Sequence, residues 1–381
     1  MKVGINKISF YVPKHYLDLN TLAKARGVNP LKYINGLYTE KMAIASEDED
    51  IVTMAANATK NILTNEDIES IDLILFSTES GLDYSKAAST HLISLLGLKN
   101  KTRALELKQA CYSATAALYF AKGHILQNPN SRVLVIASDI SRYGLNSSGE
   151  PTQGAGAVSM IISRNPKIMV LNNQYGLYSE DVYDFWRPNG FDFACVDGKF
   201  SNETYKKLFL ETFGSYKSQT NVDVNDFTAI NFHIPYGKLA LRSLQLVANE
   251  KEQPKLFENF DASIKYNKVV GNIYTGSLFL SLISLLDHAK LKAKDLIGLF
   301  SYGSGAVAEF FTGTIVPGYK KHIEKTLHKN IVKRRVKLSI AAYEKMIEPI
   351  GSFDQVLNHV TDGYFRLEKI ENNQRFYVKT T

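Results

Sequence analysis

Two runs, Ile71-Asp72-Leu73-Ile74-Leu75-Phe76 and Val133-Leu134-Val135-Ile136-Ala137, are apolar at nearly every position rather than at every second one. A strand with one wet face alternates polar and apolar residues. Unbroken runs of this length therefore mark strands covered on both faces, as in layered α/β packing. Strands are predicted at 3–11, which reads as an edge strand, and at 71–78, 103–107, 133–139, 157–163, 229–233, 297–302 and 306–315. Helices are predicted at 50–63, 86–96, 113–126, 202–216, 237–247 and 277–286. With 381 residues the chain holds two domains or one large duplicated unit.

An internal echo favours duplication. Gly154-Ala155-Gly156-Ala157-Val158 matches Gly303-Ser304-Gly305-Ala306-Val307, and each follows one apolar strand and opens another. The boundary is expected between 164 and 172, giving an N-terminal half, 1–165, with Glu79 and Cys111, and a C-terminal half, 166–381, with His233 and Asn272. Duplicated α/β proteins bind ligands between their halves, near strand ends. The stretch from Tyr175 to Pro188 is too aromatic for a linker and suits a lid, a pocket wall or a dimer contact.

Composition narrows the class. Two cysteines, Cys111 and Cys195, are too few for a disulfide framework, and no Cys/His spacing suits zinc. The first residues lack a signal peptide's apolar block, and the longest apolar stretch, 277–286, is too short to span a bilayer. A cytoplasmic protein without membrane attachment is expected. The net charge is +7, from 45 Lys and Arg against 38 Asp and Glu, and the densest basic run is Lys320 to Lys337. A solvated helix face plus a strand end accounts for that run, and no nucleic-acid-binding motif accompanies it.

Four residues are placed for chemistry. Cys111 lies between a short strand and a helix of small residues, where free N–H groups and the helix dipole would favour a thiolate. Glu79 closes the run 71–76; apolar walls there would raise its pKa and fit it for proton transfer near neutrality. His233 closes a strand before a Pro/Gly turn, whereas His15, His91, His124, His288, His322, His328 and His359 lie where surface roles suffice. Asn272 precedes the most apolar helix. Each also has an ordinary reading, as a core cysteine, a surface glutamate, a core histidine and a helix-capping amide. Cys, His and Asn together are one known way to build acyl-transfer machinery.

These segments in order resemble one family. They are Ser77-Thr78-Glu79-Ser80, Ala110-Cys111-Tyr112-Ser113-Ala114-Thr115, Gly149-Glu150-Pro151-Thr152-Gln153-Gly154-Ala155-Gly156, Tyr183-Asp184-Phe185-Trp186-Arg187-Pro188, His233-Ile234-Pro235-Tyr236, Gly271-Asn272-Ile273-Tyr274-Thr275-Gly276 and Phe300-Ser301-Tyr302-Gly303-Ser304-Gly305. They are similar to bacterial 3-hydroxy-3-methylglutaryl-CoA synthases, of the thiolase-like superfamily. The resemblance runs over nearly the whole chain and fades after about residue 320. It implies a duplicated five-layer αβαβα fold and a homodimer. It also implies catalytic roles for Cys111 (acyl carrier), Glu79 (acid/base) and His233 (orienting the second substrate). Substrate contacts are implied for Tyr143, Thr152, Phe185, Ser201, Asn272 and Ser304, and CoA contacts for Asn29, Lys32, Lys238 and Arg242. Three positions depart from the family pattern. Arg242 stands for Lys, Asn29 for Asp, and Gln109, two before the nucleophile, for Glu.

The implied reaction condenses acetyl-CoA with acetoacetyl-CoA and water through an acetyl-Cys111 intermediate, in the mevalonate pathway of isoprenoid biosynthesis. CoA thioesters are its substrates, and no metal or other cofactor is expected. Two alternatives remain at this point. A β-ketoacyl-acyl-carrier-protein synthase III-like enzyme shares Cys, His and Asn but makes its carbanion by decarboxylation, without a base like Glu79. A basic, non-catalytic binding protein would leave Cys111 structural.

Overall fold

The computed structural model describes residues 1–347 and 354–380. Nine strands form one sheet: β1 (Val3–Tyr11), β2 (Ile71–Ser77), β3 (Arg103–Leu107), β4 (Arg132–Ser141), β5 (Gly154–Arg164), β6 (Met169–Ser179), β7 (Ala229–Phe232), β8 (Leu296–Gly303) and β9 (Val307–Ile315). Their order across it is β7-β8-β9-β6-β1-β5-β4-β2-β3. The six main helices are α1 (Ile51–Lys60), α2 (Ser89–Leu96), α3 (Ser113–Gln127), α4 (Gly198–Thr220), α5 (Gly237–Leu244) and α6 (Gly276–His288).

The topology repeats. β1 pairs antiparallel with β5, β5 antiparallel with β4, and β4 parallel with β2. β6 pairs antiparallel with β9, β9 antiparallel with β8, and β8 parallel with β7. The halves meet where β1 and β6 share two residue pairs, Gly4↔Val170 and Ile5↔Met169. The two Gly-x-Gly-Ala-Val strings are thus the equivalent turns into β5 and β9.

Burial explains the unbroken apolar runs. Leu73, Leu75, Val133 and Val135 face a central cluster with α3 and α6, while Ile74, Phe76, Leu134 and Ile136 face an outer cluster with α1. A third cluster joins α4 to the strands of the second half. The layers are therefore α1, half-sheet, α3 with α6, half-sheet, α4, the duplicated five-layer αβαβα fold. Each fully buried Leu, Ile or Phe in them contributes about 1.5–3 kcal/mol. Residues 276–287 of α6 are all buried, so its serines need partners. Ser281 Oγ accepts from Asn231 Nδ2 at 2.8 Å, and Ser284 Oγ donates to the Ala262 carbonyl at 2.7 Å. Helix α1 begins at a capping box, in which the Asp50 carboxylate accepts from Val52 and Thr53 N–H.

Two expectations are corrected. β1 is a central strand; the Lys7 that gives it an edge-like look sends its ammonium to Asp67, Thr64 and the Ile62 carbonyl. His328 is fully buried, with Nδ1 2.9 Å from Asp287 Oδ2 and Nε2 3.2 Å from Ser9 Oγ. As expected, the basic run forms a helix (Lys325–Lys333) and a two-residue strand, preceded by a short 3-10 turn, with its lysines exposed. Within it Arg334 and Arg335 stack on Tyr11 and Tyr16, at 5.1 and 5.2 Å from the ring centres. Among the described residues no helix is long and apolar enough to cross a membrane.

Candidate active site

The chemistry-bearing residues gather where strands end. Glu79 follows β2, Cys111 lies between β3 and α3, Asp139 and Tyr143 lie near the end of β4, and His233 follows β7. Asn272 precedes α6, and Ser304 sits in the turn from β8 to β9. Cys111 Sγ donates to Glu79 Oε1 at 3.0 Å. The cysteine is 9% exposed.

Helix α3 does not supply the thiolate-favouring field expected of it. Its first N–H groups are already used: Tyr112 N–H goes to the Gln109 carbonyl, Ser113 N–H to the Ala110 carbonyl, and Ala114 N–H to Thr275 Oγ1. Burial, the Glu79 charge and bond, and the charges of Asp139 and Asp184 instead push the Cys111 thiol well above its usual value. Cys111 rests as a thiol beside the Glu79 carboxyl.

That carboxyl is itself perturbed. Burial first, then the charge of Asp139, push Glu79 up to about 8, while the Cys111 bond and Arg187 oppose the rise. Asp139 is fully buried and is also raised, chiefly by burial. Its Oδ1 accepts from Thr78 Oγ1 (2.8 Å), Glu79 N–H (2.9 Å), Ser80 N–H (3.1 Å) and Ser80 Oγ (2.8 Å). Two such carboxyls titrate as a pair, and one of them holds a proton at a pH where an ordinary carboxyl is ionised. Asp139 went unread in the sequence, although it carries the signal that marked Glu79, an acid at the end of an unbroken apolar run.

His233 is 2% exposed, and burial pushes its imidazole down to about 3, so it is neutral at physiological pH. Its backbone N–H donates to the Phe300 carbonyl at 2.7 Å, and its carbonyl accepts from Tyr205. Burial and the charges of Tyr236 and Cys111 raise Tyr205. His233 Nδ1 has no partner among the described residues. Asn272 is buried; Nδ2 donates to Tyr143 Oη at 3.3 Å, and Oδ1 accepts from Tyr274 N–H and Ser277 Oγ, both at 2.9 Å. Tyr143, Phe185 and Tyr274 meet edge to face with ring centres 5.9–6.3 Å apart, a dry wall beside Glu79 and Cys111. The aromatic loop thus serves as a pocket wall.

The second half is seated on the loop that carries Cys111. A β-carbon on Gly303 would lie 2.6 Å from both Gln109 O and Tyr112 N. Gln109 Nε2 donates to the Ser304 carbonyl at 3.4 Å, which a carboxylate in its place could not do. Buried Asp184, a residue given no role from sequence, accepts from Gly305 N–H (2.9 Å), Tyr302 and Ser201 Oγ (3.0 Å). Ser201 therefore braces this turn through Asp184. Thr152 caps its own short turn by donating to the Gly149 carbonyl at 2.8 Å, and Gly149 packs on Tyr143. Lys238 lies apart, against Tyr38, with Arg242 exposed one turn further along α5; Asn29 and Lys32 are exposed on the segment leading to Tyr38. Among the described residues no group of three His, Cys, Asp or Glu side chains is placed to hold a metal ion.

Residues 1–167 match the family model described as hydroxymethylglutaryl-coenzyme A synthase N terminal, and residues 169–255 and 242–377 match its C-terminal counterpart. The chain belongs to the hydroxymethylglutaryl-CoA synthase family. It is 49% identical to the Enterococcus faecalis hydroxymethylglutaryl-CoA synthase over 99% of this chain and 100% of that one. A crystal structure of an HMG-CoA synthase complexed with CoA superposes with a TM-score of 0.96 at 42% identity, covering 100% of both chains. The Bacillus subtilis polyketide biosynthesis 3-hydroxy-3-methylglutaryl-ACP synthase is 32% identical over 92% of this chain and 89% of its own. The fold is thiolase-like and the chain is an acyltransferase. Membership favours this reading over the ketoacyl synthase and the non-catalytic alternatives.

Proposed function

We propose that this enzyme condenses acetyl-CoA with acetoacetyl-CoA and water to give 3-hydroxy-3-methylglutaryl-CoA and CoA, in the mevalonate pathway. The observation that carries the proposal is the 3.0 Å bond from Cys111 Sγ to Glu79 Oε1. Glu79 takes the thiol proton as sulfur attacks the acetyl thioester, and CoA leaves protonated. The acyl group on Cys111 remains a thioester, so its methyl protons stay acidic enough to remove. Glu79 removes one, and the enolate carbon attacks the C3 ketone of acetoacetyl-CoA. Neutral His233 retains one N–H donor for that carbonyl. The new alkoxide is protonated, and water attacking the Cys111 thioester frees the product and regenerates the thiol. The developing oxyanions need donors from backbone N–H groups of the Cys111 loop or the Ser304 turn that are not already bonded within the protein; one such donor is worth roughly 2.7–4 kcal/mol. Protein side chains serve every proton transfer, so the reaction calls for no cofactor.

Asn272, Tyr143 and Phe185 shape the acyl pocket, Asp184 and Ser201 hold the Ser304 turn, and Thr152 supports Tyr143. Lys238, Arg242, Asn29 and Lys32 meet CoA. We place the division of the halves at 165 and 166, between β5 and β6, on the repeated pairing of strands. The free thiols of Cys111 and Cys195 suit a cytoplasmic setting. The working unit is a homodimer, supported by the edge strand β3 and the apolar outer face of α3.

Intact-mass analysis tests the chemistry. Acetyl-CoA should add one acetyl group to the wild type and none to Cys111→Ser, and acetoacetyl-CoA should then discharge it. Glu79→Gln should slow the condensation by about 10²–10⁴-fold, the usual worth of a positioned acid/base. Stable acetylation of Cys111→Ser would refute the nucleophile assignment.

A further inference from the structure

The string Gly149-Glu150-Pro151-Thr152-Gln153-Gly154 contains a carboxylate that the condensation does not use. Glu150 is 1% exposed. A carboxylate taken out of water must be matched by donors. Its Oε2 accepts from Arg26 Nε at 2.9 Å and from Asn146 N–H at 3.0 Å. Its Oε1 accepts from Arg26 Nη2 at 2.8 Å and from Tyr343 Oη at 3.1 Å. Paired bonds from one guanidinium fix direction as well as distance, which a lysine ammonium cannot do.

The partners of Glu150 lead in two directions. Outward, Arg26 caps the helix Leu19–Ala25 and begins the arm that carries Asn29 and Lys32. The short helix on that arm, Leu31–Ile34, contains no buried residue. The arm is therefore placed chiefly by its ends. Arg26 holds one end; at the other, Lys238 N–H donates to the Leu37 carbonyl at 3.1 Å. Inward, Tyr343 Oη accepts from Gln153 Nε2 at 2.9 Å, and Gln153 Oε1 accepts from Tyr143 N–H at 2.9 Å. Tyr343 and Gln153 are both buried. Tyr143 belongs to the aromatic wall beside Glu79 and Cys111, and its Oη accepts from Asn272 Nδ2. The motif is also pressed on the segment of Asn272: a β-carbon on Gly154 would lie 2.5 Å from the Asn272 carbonyl oxygen. An unbroken line of hydrogen bonds thus joins the arm to the acyl pocket through Glu150.

We propose that Glu150 and Arg26 are positioning residues for the reaction. They form a strut that sets the arm carrying Asn29 and Lys32 at a fixed distance from Tyr143, so that a CoA thioester held at the arm presents its acyl group to Cys111. This rests on the reading above that Asn29 and Lys32 meet CoA. The strut acts through the arm at one end and through Tyr143 at the other, not on the reacting atoms. Its two ends are separable, because Arg26 serves only the arm and Tyr343 only the wall.

The test follows acetylation of Cys111 by intact mass in the full chain, with acetyl-CoA and acetyl-pantetheine as donors. Acetyl-pantetheine lacks the nucleotide part that the arm would hold. Arg26→Lys keeps the charge but loses the paired bonds. It should raise the half-saturating concentration of acetyl-CoA about tenfold and leave that of acetyl-pantetheine unchanged. Tyr343→Phe keeps the pairing with Arg26 and cuts the link to Gln153. It should lower the maximal rate with both donors and leave both half-saturating concentrations unchanged. Glu150→Gln should show both effects, and the other two variants decide the matter even where this one does not fold. An equal rise with the two donors in Arg26→Lys overturns the strut. So do unchanged kinetics in Arg26→Lys and Tyr343→Phe alongside lowered melting temperatures, since the network would then hold only the fold. An unchanged acetyl-CoA value in Lys32→Gln would instead refute the arm's contact with CoA.

Discussion

At the scale of single residues, the site runs on displaced acidity. Asp139 adds the second-largest push to Glu79, after burial. Asp139→Asn keeps an oxygen for the four donors and removes the charge. Glu79 then ionises at lower pH, so the rising limb of the acetylation pH profile should move to lower pH. An unmoved limb in a folded variant would separate Asp139 from the acid/base. His233 gives a stability prediction of fixed sign. Its folded pKa, about 3, lies below the ordinary value of 6.5. Below pH 6.5 the unfolded chain takes up a proton that the folded chain refuses, so stability is lost as pH falls through that window. The loss is at most about 1.4 kcal/mol per pH unit. Wild-type melting temperature should drop between pH 7 and 5 by more than that of His233→Gln; equal drops would show His233 titrating normally. Glu79 and His233 were legible because each closes a strand run. The rise of the Cys111 thiol was not, since it depends on which hydrogen bonds consume the α3 N–H groups, and Thr275 lies more than 160 residues away.

At the scale of elements, strands and helices were legible because two-sided burial leaves unbroken apolar runs and α6 has no polar face. Strand order was not, because a strand's composition records how wet its faces are, not which neighbours it pairs with. Lys7 misleads for that reason, since its charge is neutralised by Asp67 on another element. The junction of the nucleophile loop with the β8–β9 turn is likewise invisible in either segment. There Gln109 donates to Ser304 O, and Gly303 leaves room for Tyr112. Gln109→Glu replaces a donor with an acceptor facing a carbonyl and adds a negative charge near a thiol already raised by burial and three carboxyls, those of Glu79, Asp139 and Asp184. Acetylation should slow, and its pH limb should move upward, while melting temperature shifts little. The same rate and pH profile in the variant would mean the junction does not govern the nucleophile.

At the scale of the whole molecule, one face is unfinished. β3 is an edge strand whose outer side lacks a partner among the described residues, and Leu105 on it is 52% exposed. Beside it on α3, Tyr119 is 60% and Phe120 52% exposed. A cavity of about 480 Å³ opens between α3 and strands β6 and β9, away from Cys111. Large apolar side chains grouped beside an unpaired strand are costly to leave wet and invite self-association. A second copy suits the face, because two β3 edges related by a twofold axis run antiparallel and bring the same α3 faces together. The Cys111 loop starts α3, so a second copy packed on the outer side of that helix would also steady Cys111. Sedimentation at micromolar concentration should give twice the chain mass of 42.7 kDa for the wild type. Phe120→Arg should sediment as a single chain and acetylate more slowly, since the charge cannot be buried against its own copy. A wild type that sediments as one chain, or an arginine variant that remains paired, would remove this face from the interface.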